Sequence, residues 1–91
     1  MTTTRERCER AVRDALARNA EVEPSADLLA VTDDLYDHGL TSLASARVML
    51  AVEGALAIEF PERMLTRALF ASIDRLTDAC VEVLETEGAA R

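Results

Sequence analysis

Ser42 is the first candidate for chemistry in this chain. It stands at the head of an apolar, alanine-rich run and directly behind a stretch of acids. A serine hydroxyl in that setting has three uses. As a nucleophile it needs a base within reach and a third group to orient that base. The only histidine, His38, lies four residues earlier in the same loop, and the surrounding Thr41-Ser42-Leu43 lacks the glycine-flanked turn of a hydrolase serine. Catalysis is therefore not expected, and no catalytic residue is assigned. As a helix cap, either Thr41 or Ser42 would accept a first-turn N–H. As a modified residue, Ser42 would place a phosphodiester against the unpaired N–H groups and positive end of a helix. The two cysteines, Cys8 and Cys80, lie far apart. Their spacing fits neither a metal site nor a disulfide framework, and both read as small buried hydrophobes.

The elements that must position Ser42 follow from periodicity. Cys8, Val12, Ala15, Leu16 and Asn19 fall at helical spacing, which predicts a helix over about Thr4 to Asn19. Residues 21–41 form a long connection, with a turn at Pro24-Ser25-Ala26-Asp27. Leu28, Leu29 and Val31 are expected to tuck against the helices, Tyr36 to anchor the loop, and Gly39 to break the chain before the next element. Loops this long usually carry function. A second helix is predicted from Ser42 to about Ala57. Val48, Met49, Val52 and Leu56 form its core stripe, and Leu43, Arg47, Leu50 and Gly54 a second stripe. A helix apolar on both sides is buried or presents a face to a partner, and so small a chain favours the partner. Pro61 ends this helix and allows a short third one over Glu62 to about Ala68. Ser72 caps a last helix carrying Ile73, Leu76, Cys80, Val83 and Leu84, with a frayed tail from Glu85 onward.

Composition supports an all-α fold: few aromatics, three glycines, two prolines, and little β-branched or aromatic material for strands. Ninety-one residues make one domain, with an ordered core expected at about residues 4–86. The net charge of -7 is concentrated in residues 21–41, which hold six acids and no base. That surface repels phosphates, so neither nucleic acid nor anionic membrane is an expected partner. A basic groove on another protein would attract it. The opening residues carry no apolar signal region, and no run reaches the ~20 apolar residues of a membrane span. A soluble cytoplasmic chain, monomeric when free, is expected.

Asp34-Leu35-Tyr36-Asp37-His38-Gly39-Leu40-Thr41-Ser42-Leu43 resembles the attachment motif of acyl carrier proteins, in which a Gly-x-Asp-Ser-Leu stretch receives 4′-phosphopantetheine on its serine. Glu59-Phe60-Pro61 looks like the Glu-Ile-Pro that follows the family's second helix. Residues 5–85 fit its four-helix bundle of three longer helices and one short, with a long loop between the first two. The resemblance is closest to aminoacyl carrier proteins served by stand-alone amino acid:carrier-protein ligases that look like class II seryl-tRNA synthetases. Asp34-Leu35-Tyr36, Gly39-Leu40-Thr41-Ser42, Met49-Leu50, Ile58-Glu59-Phe60-Pro61 and Phe70-Ala71-Ser72-Ile73 carry that likeness.

The resemblance implies a phosphopantetheine arm on Ser42, installed from coenzyme A by a phosphopantetheinyl transferase. It implies a small amino acid, glycine or alanine, as thioester cargo. Leu43, Arg47 and Leu50, bordered by Thr41 and Leu40, are the expected docking residues. Thr41 replaces the family's usual aspartate, which bears on transferase recognition. Arg47 and Ala44 stand where fatty-acid carriers are acidic, which disfavours fatty-acid partners. Two other readings stay open: a carrier for fatty-acid, polyketide or non-ribosomal peptide assembly, and an unmodified helical adaptor.

Overall fold

A computed structural model describes residues 3–90, with side-chain burial given through residue 86. Three α-helices run in order: α1 (Thr4–Asn19), α2 (Ser42–Leu56) and α3 (Ile73–Ala90). Two 3₁₀ turns, Glu62–Met64 and Arg67–Phe70, lie between α2 and α3. Helix α1 is the hub, packing against both α2 and α3. One hydrophobic cluster joins all three, with Val12 and Leu16 from α1, Val48 and Val52 from α2, and Ile73, Leu76 and Cys80 from α3 fully buried.

Each helix starts where a side chain takes up an orphan N–H. Thr3 and Glu6 form a reciprocal capping box at the head of α1. Thr41 Oγ1 accepts from Ala44 N at 3.1 Å at the head of α2. Ser72 Oγ accepts from Arg75 N at 3.1 Å at the head of α3, as expected from its position. Helix α2 ends at Ala57, in left-handed conformation (φ 53°), and Ile58 N–H returns to the Glu53 carbonyl at 3.1 Å. The Glu53 carboxylate then accepts Phe60 N at 2.8 Å, so this acid closes the loop below α2.

Three expectations are corrected here. The short third helix over 62–68 is instead the pair of 3₁₀ turns. So few residues cannot repay the cost of nucleating an α-helix, and Leu65 (φ -80°, ψ 69°) lies outside helical geometry between them. The tail does not fray at Glu85, because the α3 backbone stays helical to Ala90. Glutamate and alanine favour a helix by intrinsic propensity. Leu28 does not tuck in: it is 74% exposed, while Leu29 is buried and Val31 half-buried. The turn from Ser25 to Leu28, closed by Leu28 N–H to Ser25 O at 2.8 Å, aims Leu28 outward.

The loop of residues 20–41 has no regular structure, yet many bonds pin it. Arg13, half-buried on α1, donates to the carbonyls of Ala26 (2.6 Å) and Leu29 (2.9 Å) and pairs with Glu9 (3.0 Å). Leu35 N–H reaches Ala71 O at 2.8 Å, and Asp74 N–H reaches Val31 O at 2.9 Å, tying the loop to the head of α3. At the other face, exposed Arg5 ties α1 to α3 through Asp74 and Asp78, both at 2.6 Å. Such exposed pairs stabilise little.

Among the described residues, one buried side-chain oxygen lacks a hydrogen-bond partner. Thr77 Oγ1 is fully buried with no hydrogen bond, which costs free energy that an isosteric methyl would not. Thr77→Val should therefore stabilise the fold by about 1 kcal/mol, raising the melting temperature by roughly 4–8 °C. A lowered melting temperature would show that this hydroxyl is satisfied in solution.

Candidate functional site

The chain reaches Ser42 through a clasp. Glu23 N–H donates to His38 O at 2.9 Å, and His38 Nδ1 lies 2.6 Å from Glu23 O, so Nδ1 is the donor of that bond. His38 is thus a loop fastener held by the neighbouring strand of loop, not a free group beside Ser42. Gly39 follows at φ +110°, and a Cβ there would stand 2.7 Å from the Glu21 carbonyl oxygen. Only glycine fits this crossing. Leu40 then plunges into the core, with its N–H on Leu35 O at 3.0 Å. Thr41 and Ser42 emerge at the surface as the cap and first residue of α2.

Thr41 answers which hydroxyl does the capping. Its Oγ1 takes the Ala44 N–H, and among the described residues no hydrogen bond engages Ser42 Oγ. The Ser42 carbonyl receives Ser45 Oγ at 2.8 Å, which steadies the first turn from inside. Threonine here performs the capping that an aspartate would perform, so the local geometry survives the exchange.

The expected docking residues divide. Leu43 (64% exposed), Leu50 (63% exposed), Arg47 and Thr41 lie on one outward face of α2 with Gly54. Leu40 does not join them. It is 5% exposed, because the turn at Gly39 directs it inward, and its place on the docking surface is withdrawn. The opposite stripe of α2 is core as predicted: Val48, Val52 and Leu56 are buried and Met49 packs against them.

The first turn of α2 is a ridge between two depressions. On one side lies a groove of about 510 Å³ against the end of α1, lined by Arg18, Ala20, Thr41, Leu43 and Arg47 among others. On the other lies a depression of about 330 Å³ lined by Ser42, Tyr36, Leu65, Arg67 and Phe70. Tyr36 anchors the loop as expected. Its hydroxyl donates to Arg67 O at 2.9 Å, and the Arg67 guanidinium sits 3.8 Å above its ring. Burial pushes the Tyr36 phenol up, with Arg67 opposing. Leu65, Arg67 and Arg18 were not found from the sequence. Each falls in a segment whose periodicity says nothing of its neighbours across the fold.

The loop acids are partly local. Asp33 Oδ2 accepts Ala30 N and Asp34 Oδ1 accepts Tyr36 N, both at 2.9 Å, leaving Asp37 without such a turn bond among the described residues. Cys8 and Cys80 are both fully buried and unpaired. Burial, and then the neighbouring Cys8, push the Cys80 thiol up to about 12; burial also raises Cys8.

A pinned helical scaffold sets the exposed Ser42 hydroxyl, free of the capping bond that Thr41 makes, at the head of α2. The family described as phosphopantetheine attachment site matches residues 10–80, and the chain belongs to that family, the carrier proteins, which hold groups for other enzymes and are not themselves catalysts. Its cofactor is 4′-phosphopantetheine. The chain is 39% identical over 79 residues to the aminoacyl carrier protein of Agrobacterium fabrum (strain C58 / ATCC 33970), covering 87% of this chain and 95% of that protein. It is similar, at TM-score 0.78 and 37% identity, to a chain in the crystal structure of engineered Bradyrhizobium japonicum glycine:[carrier protein] ligase complexed with carrier protein from Agrobacterium tumefaciens and ATP. That match covers 84% of this chain and 99% of the other. A solution structure from Agrobacterium tumefaciens is similar at TM-score 0.70 and 37% identity, covering 89% and 98%. No helix among the described residues is long and apolar enough to cross a membrane.

The Gly39 crossing yields a direct test. Gly39→Ala should cost on the order of 2 kcal/mol, from the positive φ and the contact with Glu21 O together. Chemical denaturation measures it; an unchanged midpoint would mean that the loop crosses elsewhere.

Proposed function

We propose that Ser42 bears the phosphopantetheine arm and that the loaded cargo is a small amino acid, glycine or alanine. A stand-alone amino acid:carrier-protein ligase would form the thioester, after a phosphopantetheinyl transferase has transferred the arm from coenzyme A. The whole chain acts as one carrier domain, monomeric when free and cytoplasmic. The observation that carries the reading is the division of labour at the head of α2: Thr41 caps the helix, which leaves the exposed Ser42 hydroxyl available. The likeness to an aminoacyl carrier protein supports the cargo class.

The residues fit the arm. Ser42 is exposed, so a transferase can reach it, and the first-turn N–H groups and helix dipole favour a phosphodiester there. The arm, once attached, supplies the thiol on which an acyl group is held. The protein's own part is to present and to dock. Leu43 and Leu50 offer apolar contact, Arg47 offers charge, and Thr41 borders the attachment point. A face this small gives weak, brief complexes, which suit a shuttle. Tethering then raises the effective concentration of cargo at the docked enzyme.

Incubation with coenzyme A and a phosphopantetheinyl transferase should add one arm to the intact mass, and Ser42→Ala should abolish the addition. An unmoved wild-type mass, or an addition that survives in Ser42→Ala, would overturn the assignment. Addition of glycine or alanine, ATP and a ligase of this class should then shift the mass again by one amino acid.

Docking and folding separate by mutation. Leu43→Ala should lower loading efficiency about ten-fold while stability changes by less than about 0.5 kcal/mol, because Leu43 touches no core. Val52→Asp should unfold the domain, since it places an unpaired charge in the core. A large stability loss in Leu43→Ala would refute the assignment of faces.

A further inference from the structure

The groove beside Thr41 joins two arginines that the sequence keeps far apart. Arg18 comes from the last turn of α1 and Arg47 from the second turn of α2, and both line the same depression of about 510 Å³. Every cation in this chain of net charge -7 is an arginine. Arg5, Arg10 and Arg13 form ion pairs, and Arg67 stacks on Tyr36. Like Arg7, Arg63 and Arg75, Arg18 and Arg47 have no ion pair among the described residues, but these two alone line one groove beside Thr41. Glu21 is the one carboxylate on the rim, and neither guanidinium pairs with it. The rest of the lining is made of the small side chains Ala17, Ala20 and Ala44, the polar Asn19 and Thr41, and exposed Leu43.

Two guanidiniums without an ion pair, lining one open and largely polar groove, match a protein carboxylate held by forked hydrogen bonds. We propose that this groove is the second half of the ligase-docking surface, and that a carboxylate of the ligase enters it between Arg18 and Arg47. The inference rests on the aminoacyl-carrier reading and extends the interface from α2 onto the end of α1. It gives the acidic carrier a locally basic contact, which selects against partners whose basic surfaces are drawn to the acids of residues 21–41. The competing role for Arg18 is purely structural, since a cation in a last turn complements the helix dipole. Stability and loading distinguish the two.

The test uses the arm-bearing protein, with glycine, ATP and Bradyrhizobium japonicum glycine:[carrier protein] ligase, read as the mass of one added glycine over time. Arg18→Glu should raise the KM for the carrier about ten-fold with little change in kcat, and the gap from wild type should narrow as salt is raised. Arg18→Gln should shift KM in the same direction by less. Arg75→Glu makes the same change in net charge on α3, away from the groove, and should stay within about two-fold of wild type. Arm attachment by the transferase should proceed at the wild-type rate in Arg18→Glu.

An unchanged KM in Arg18→Glu overturns the inference while leaving the carrier reading intact. So does a loading defect that follows a lowered melting temperature, an equal defect in Arg75→Glu, or a defect in arm attachment alone. Wild-type protein that takes the arm but no glycine overturns the aminoacyl reading and this inference together.

Discussion

The structure depends on a crossing of two backbones. Gly39 passes so close to the Glu21 carbonyl that no side chain fits between them, and the paired bonds of His38 with Glu23 lock the crossing in place. A loop of some twenty residues without helix or strand would ordinarily wander, because each ordered residue costs about 1–2 kcal/mol of backbone entropy. Here that cost is offset by burial of Val22, Ala26, Leu29, Leu35 and Leu40, and by Arg13 bonding to two loop carbonyls. The result is a loop that delivers its last two residues to a fixed place. Thr41 arrives in capping geometry, and Ser42 arrives outside.

From that placement the rest of the surface follows. Helix α2 packs mainly on α1, so it buries one stripe and leaves the other in solvent. The exposed leucines are not a packing failure, since the core is already filled by Val48, Val52 and Leu56. Leu43 stands in the first turn beside Ser42, and Leu50 continues the same stripe two turns on. On the proposed reading, presentation and recognition would share one helix, which fixes the distance from Ser42 to Leu43 and Arg47 independently of loop motion.

Much of this was legible in the residues. The bounds of α1 and the start of α2 came from periodicity and from hydroxyl side chains at the boundaries, because a capping group and an apolar repeat are both local signals. The choice between Thr41 and Ser42 as cap was not legible, since either hydroxyl fits the pattern and only coordinates show which one turns inward. Leu28 and Leu40 were misplaced for a related reason. Both are leucines in a loop with no period, so the direction of each depends on a turn or a glycine crossing rather than on spacing. The pair of 3₁₀ turns was read as a helix because Pro61 suits a first helical position, while the segment is too short to nucleate an α-helix and breaks at Leu65. Arg67 escaped notice because Tyr36 lies across the fold from it, and Arg18 because only the fold brings it to the groove it shares with Arg47.

The cysteines show how a thin core also serves the chemistry of the surface. A thioester is open to attack by any accessible thiolate, so a carrier with reactive thiols of its own could lose cargo to them. This chain has two cysteines and exposes neither. Both occupy core positions, on α1 and α3, on the far side of those helices from solvent. Burial first, and the neighbouring Cys8 second, push the Cys80 thiol up to about 12, and burial raises Cys8 despite nearby Arg7 and Arg5. The packing that joins α1 to α3 thus also silences the chain's own sulfur. A thiol carried on an arm at Ser42 would then be the one nucleophilic sulfur the folded domain offers to a partner.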